Sequence, residues 1–391
     1  MVERSRRNTL CRHWRDNSRQ REIRHRGGRG LYRSLFGGLA TSRRPSRGHI
    51  SALGAVLGAF ALLSAPASAT NPVLGTSDYT RHITFQDAMD AYNAGDRGLA
   101  LAHAKIAANN GDVEAMVMAG HILQRGETGL IDTLGAAEWY RLAAARGNVD
   151  AYVGLGELAI REQAGLTASD AKYWLQKAAD LGRTDAMRAL ADMNLQGTGT
   201  VPNPSAGTKL LGRAADQGDA HAMKKLGDRL FDTDAEAALG WYEKAAAKGD
   251  PNSAYIAAIM YAENYDIRPN AKKAAVLMRQ AAEAGMPPAQ ADYGLLVYQG
   301  AGVERDINAA ARWFEKAAKA GDREGQFLYA FTLYKGEGVP QSSEDAYYWL
   351  IKSDGESGVD DYDTDRENFK KSLEKTLSPS VMARARSRAG K

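Results

Sequence analysis

Small and large apolar residues recur along this chain in two phased blocks. In the first, a large residue is followed after four positions by two alanines and after eight by a glycine. The glycines are Gly111, Gly147, Gly182, Gly218, Gly249, Gly285 and Gly321, spaced 36, 35, 36, 31, 36 and 36 residues apart. The alanine pairs run from Ala107-Ala108 to Ala317-Ala318, and the large residues are Trp139, Trp174, Leu210, Trp241, Leu277 and Trp313, with Trp349 continuing the spacing. In the second block, Ala115, Ala151, Ala186, Ala222, Ser253, Ala289 and Gly325 stand four after the glycine, and Gly120, Gly156, Ala191, Gly227, Ala258, Gly294 and Ala330 five further on. Spacings of four and eight mark one face of a helix, so each unit reads as two antiparallel amphipathic helices. A large residue set over a small one predicts the packing between them. A unit this small cannot bury its own apolar face and has to stack on its neighbours, which places function on an extended surface.

The punctuation agrees with this reading. The repeated glycine suits the left-handed position that ends a helix. Asp112, Asn148, Asp219, Asp250 and Asp322 follow it and are placed to cap the next helix. Within units, Gly197-Thr-Gly199, Gly300-Ala-Gly302 and Gly336-Glu-Gly338 supply turns. The second unit has no such pair of glycines, and the fourth shortens its turn to residues 232–236.

The run Ala289, Tyr293-Gly294, Gly300-Ala-Gly302-Val303, Ala310, Trp313-Phe314, Ala317-Ala318, Gly321 resembles the Sel1-like repeat, a relative of the tetratricopeptide repeat. The resemblance implies an all-α, right-handed α-solenoid of antiparallel helix pairs. Seven units fall between residues 112 and 357, preceded at 70–111 by a linker and a tetratricopeptide-like opening pair. An acidic linker and two polar helices, Phe369–Leu377 and Ser380–Ala389, follow at 358–391 and are expected to cap the array. Some members of the family carry a disulfide in each unit, whereas Cys11 is this chain's single cysteine.

Residues 1–69 are different in kind. They hold 14 arginines, no lysine and three acids, then an apolar run from Ile50 to Leu63 that ends in Ala67-Ser68-Ala69. A basic region, an apolar core and a small-residue site form a secretory signal, with cleavage expected after Ala69; the alternative is an uncleaved segment anchored to the inner membrane. Removal leaves 37 of the 51 basic and 44 of the 47 acidic side chains, a balance of −7. Such a chain lacks the retained positive surface that nucleic-acid binding needs. No stable membrane insertion is expected after cleavage, and the location is periplasmic or secreted.

Candidate chemistry is sparse. His82, His103, His121 and His221 show no ligand spacing for zinc, and there is no Gly-x-Ser-x-Gly elbow. The alternating aspartates at 360–365 lack the central glycine and terminal glutamate of an EF-hand. No catalytic, metal or cofactor residues are assigned, and no cofactor is expected.

The tetratricopeptide register puts the first helix of each unit on the concave side. Read out at the exposed positions, the early units give Glu114, His121, Asp150, Glu157, Asp185, Arg188, Asp192, Lys224 and Asp228. From the fifth unit the same positions give Tyr255, Ile259, Leu295, Tyr298, Phe327, Phe331 and Tyr334. These seven are candidate anchors for a protein or peptide partner. Equally, their rings could pack against neighbouring helices or the C-terminal cap. Three classes of function remain: a periplasmic protein-binding scaffold or regulator, a secreted protein acting on host partners, and a cell-wall hydrolase. Within the resemblance, exported members include regulators of exopolysaccharide production and scaffolds of polysaccharide secretion.

Overall fold

The computed structural model describes residues 82–199, 201–262, 267–353 and 364–390. They fall within one unit, Arg81–Lys391, and form eighteen helices with no strand among the described residues. The basic leader, its cleavage site and most of the acidic linker lie outside the described residues.

An opening pair, α1 (Phe85–Asn93) and α2 (Arg97–Asn109), precedes seven two-helix units. These are α3 (Val113–Arg125) with α4 (Thr133–Ala144), α5 (Val149–Ile160) with α6 (Ala168–Asp180), and α7 (Thr184–Gln196) with α8 (Pro204–Asp216). Then come α9 (Ala220–Leu230) with α10 (Ala235–Ala247), α11 (Pro251–Ala262) with α12 (Ala271–Glu283), α13 (Pro287–Gln299) with α14 (Ile307–Lys319), and α15 (Arg323–Lys335) with α16 (Ser343–Ser353). Two further helices, α17 (Thr364–Glu374) and α18 (Pro379–Ala389), pack on α16. Each helix packs on the next in sequence from α1 to α16, and first helices also touch one another, α1 on α3, α3 on α5 and α13 on α15. The first helices thus form the inner row of the solenoid.

The seven repeated glycines all have positive φ, from 81° to 99°. The five cap residues that follow them each accept a hydrogen bond from the backbone N–H three residues on, as at Asp322 to Gly325 (2.7 Å). In the other two units Arg183 and Met286 take the cap position without a side-chain bond. Where the second unit lacks its glycine pair, Glu162 (φ 53°) and Ala164 (φ 55°) adopt the left-handed conformation themselves, a strain of about 1–2 kcal/mol each.

The packing sets large residues over small ones, but one position on from the tryptophans. The paired alanines are buried throughout, but the ring that seats on the small residues belongs to the position after the tryptophan. The Tyr140 ring lies between Gly120 of its own unit and Gly154 of the next, and a Cβ at either glycine would come within 2.6 Å of it. Leu175 sits likewise on Gly156, Tyr242 on Gly227 and Phe314 on Gly294. The tryptophans are half-buried at the edge of the pair. Trp174 stacks on Tyr152, and Lys244 and Lys316 lie 4.0 and 4.2 Å above Trp241 and Trp313. An indole is too wide for the gap between two close helices; the following residue points one position further round, into the seam.

The turn glycines also do more than turn. A Cβ on Gly302 would stand 2.0 Å from the Ala271 carbonyl oxygen, and one on Gly338 2.5 Å from that of Ile307. Each lets its loop rest on the start of the previous unit's second helix.

Candidate functional site

The first-helix face has two ends of contrasting character. At the N-terminal end it encloses a recess of about 550 Å³. Its apolar part comes from Phe85 and Met89 of α1, Val117 and Met118 of α3 and Val153 of α5, and carboxylates come from Glu114, Asp150, Glu157 and Asp185. Glu114, Asp150 and Asp185 each follow the repeated glycine by three residues, so the period itself sets them in one column. The next unit puts His221 in that register, and the column ends.

Arg183, just before α7, pairs with Asp150 of the preceding unit and with Asp185 at 2.7 Å. Burial would raise the Asp185 carboxyl, but the hydrogen bonds from Arg183 and the Ala186 N–H, helped by the charges of Arg183 and Arg188, hold it below the usual carboxylate range. Similar bridges continue along the face: Arg188 to Asp219 at 3.0 Å and Lys225 to Asp192 at 2.5 Å. Such half-exposed pairs contribute little energy each; they tie neighbouring first helices in register. Glu157 accepts from Gln124 at 3.1 Å, and Gln124 in turn accepts from the Tyr140 hydroxyl at 2.7 Å. Glu114 and His121 are exposed on the same face.

At the C-terminal end the seven aromatic and aliphatic residues are largely covered. Tyr255 is 3% exposed and donates to Asp292 of the next unit at 2.9 Å. Ile259 and Leu295 are buried. Tyr298, half-buried, donates to Glu337 at 2.6 Å, and burial, then Glu337, push its hydroxyl up to about 12. Phe327, Phe331 and Tyr334 surround Phe369 of α17, their ring centroids 6.1, 6.0 and 5.3 Å from it. One turn earlier, Arg366 lies 5.1 Å from the Phe327 ring and donates to the Ser353 carbonyl at 2.8 Å. Leu373 is fully buried, and Glu374 accepts from the Tyr347 hydroxyl at 2.7 Å. Of the two arrangements open to these rings, the structure has Phe327, Phe331 and Tyr334 packed against the cap.

Glu114, Asp150, Glu157 and Asp185 stand among the polar first-helix positions legible in the sequence, whereas the apolar side chains of the recess, shared by α1, α3 and α5, are not singled out there. Phe369, which fills the aromatic face, is likewise not marked in the sequence as its partner. Among the described residues no group of three or more His, Cys, Asp or Glu is placed to hold a metal ion, and no helix is long and apolar enough to cross a membrane.

Stacked antiparallel pairs, joined through small residues and presenting one helix of each pair on a shared face, define an α-solenoid of the tetratricopeptide-like type. The Sel1 repeat family model matches residues 113–148, 168–182, 184–219, 220–250, 251–286, 287–322 and 323–353, and the chain belongs to the Sel1 repeat family. Only α6 of the second unit is matched, the unit whose turn departs from the pattern. Proteins of this family are generally non-catalytic scaffolds for protein–protein interaction. The chain is similar in fold to the Sel1 repeat protein from Oxalobacter formigenes, at 23% identity, a TM-score of 0.55, and coverage of 74% of this chain and 90% of that one. It also matches the protective antigen c5321 of uropathogenic Escherichia coli at 21% identity and a TM-score of 0.35, over 78% and 82% of the two chains. Among curated proteins it is 34% identical over 178 residues to the uncharacterized protein NMB1327 of Neisseria meningitidis serogroup B, covering 44% of this chain and 37% of that relative's length.

Proposed function

We propose that this protein is an exported, non-catalytic scaffold or regulator that holds a partner protein along the concave first-helix face. The observation that carries the reading is the recess at the N-terminal end of that face, where apolar side chains from α1, α3 and α5 stand open beneath polar ones. Pockets of this size with a few placed polar groups are where proteins grip ligands. The register that phases the repeats is also the register of the recess, so the period that stacks the helices also sets Glu114, Asp150 and Asp185 in one column along it. Toward the C-terminus the half-buried Tyr298, Phe331 and Tyr334 continue the face, with Tyr255, Ile259, Leu295 and Phe327 buried behind it. The basic leader supports export, with the mature chain beginning at Thr70 in the periplasm, and a role in exopolysaccharide regulation or secretion is the setting we favour.

Two measurements test this. Fractionation with N-terminal sequencing should place a chain starting at Thr70 in the periplasm; a full-length cytoplasmic product contradicts export. A photo-crosslinking amino acid at Val117, Val153 or Tyr298 should give partner adducts in intact cells, and one at Ile106 on α2 should not. Adducts from Ile106 alone, or none from any first-helix position, contradict the binding face.

A further inference from the structure

We infer that the N-terminal recess is built for a short cationic segment of a partner protein that carries an apolar anchor between its basic side chains. The inference rests on the first-helix face being the binding face and adds the chemistry of what it takes.

The charge balance points there first. Glu114, Asp150, Glu157 and Asp185 line the recess against one guanidinium, that of Arg183. Arg183 is already shared between Asp150 and Asp185, so it does not neutralise the others. Glu114 has no hydrogen bond or ion pair among the described residues, and Glu157 has a neutral amide donor in Gln124. Two carboxylates therefore face the opening without a cationic neighbour to balance them. His121 lines the same recess and adds ring nitrogens for hydrogen bonding.

The floor is of the other kind. Met89, Val117, Met118 and Val153 are half-buried, and methionine adapts to anchors of different shape. Burial of an aliphatic anchor there supplies affinity. The carboxylates at the rim are exposed and screened by salt, so they contribute selectivity and association rate more than binding energy. An acidic segment, a phosphate backbone or an anionic lipid headgroup would each set negative charge against these carboxylates; the recess discriminates against all three.

The test uses the whole protein and fluorescent eight-residue peptides read by anisotropy: a basic probe with two leucines flanked on each side by arginines, a copy with glutamate for arginine, and a copy with serine for leucine. The basic probe should bind, and either substituted copy should bind at least tenfold more weakly. The double variant Glu114→Lys, Glu157→Lys changes exposed side chains and should weaken the basic probe at least tenfold while gaining affinity for the acidic copy, a gain that an unfolded protein could not show. No binding of the basic probe, equal binding of the acidic copy, or unchanged affinity in the double variant overturns the inference. Partner crosslinks from Tyr298 alongside any of those results leave the scaffold reading standing; crosslinks from no first-helix position remove both.

Discussion

Replacing Gly120 by alanine tests the packing code where the structure makes it tightest. The added Cβ would lie 2.6 Å from Cε1, 2.8 Å from Cδ1 and 3.0 Å from Cζ of Tyr140. Tyr140 is 2% exposed, and Gly154 approaches so closely that a Cβ there would also lie 2.6 Å from the ring, so it has little room to retreat. Overpacking of this kind costs about 1–3 kcal/mol, against which alanine gains roughly 1 kcal/mol over glycine in a helix interior. With the ring held on both sides the upper part of the range applies, and the net loss should be about 1–2 kcal/mol. In a Tyr140→Leu background the clash disappears, and the same substitution should stabilise by up to about 1 kcal/mol. The double-mutant cycle therefore gives a coupling of roughly 2–3 kcal/mol. Urea unfolding followed by far-UV circular dichroism measures all four proteins. A Gly120→Ala variant that is more stable than the parent in the presence of Tyr140 would refute the reasoning.

Glu162→Gly should stabilise the array by about 0.5–1 kcal/mol, since the left-handed strain it relieves exceeds the extra freedom glycine brings to the unfolded chain; unfolding midpoints check this, and a loss would show that the side chain itself holds the turn. Phe369→Ala should cost about 2 kcal/mol, roughly half the value for a fully buried phenylalanine, and should open the aromatic face to dye binding and α17 to protease. The cap should also loosen in acid. A hydrogen bond from Arg384 holds the Glu344 carboxyl below its ordinary range, and the Ser342 hydroxyl, then Arg388, do the same for Asp345. Groups depressed in the folded state contribute stability above their unfolded values near about 4 and lose it as pH falls through the folded ones, so hydrogen exchange in α18, corrected for intrinsic rate, should be steady from about pH 5 to 8 and rise below about pH 4. A rise between pH 5 and 8 would point to other groups.

The solenoid was readable because its determinants are local and repeated. Gly111 and its six successors end helices by backbone conformation, and Asp112 or Asp322 caps the next helix three residues away; neither needs a distant partner. The identity of the packed ring was less legible, because tryptophan draws attention at the repeated position while Tyr140, Leu175, Tyr242 and Phe314, one residue on, point into the seam. The second glycine of each turn pair acts on the previous unit, a contact no single-unit pattern reveals. In the candidate site, the period gives the first-helix positions that hold Glu114, Asp150 and Asp185 among other polar residues. Other parts depend on pieces outside the repeats: α1 adds Phe85 and Met89 to the Val117, Met118 and Val153 of the repeats, and α17 sets Phe369 among three rings. A polar helix with one aromatic residue carries no sequence signal of where that residue lands.

The most direct test of the account is hydrogen exchange of the protein with and without its captured partner. Protection gained by first helices α1, α3 and α5, with α2, α4 and α6 unchanged, is the predicted result. Protection confined to the second helices, or spread evenly through both rows, would contradict it.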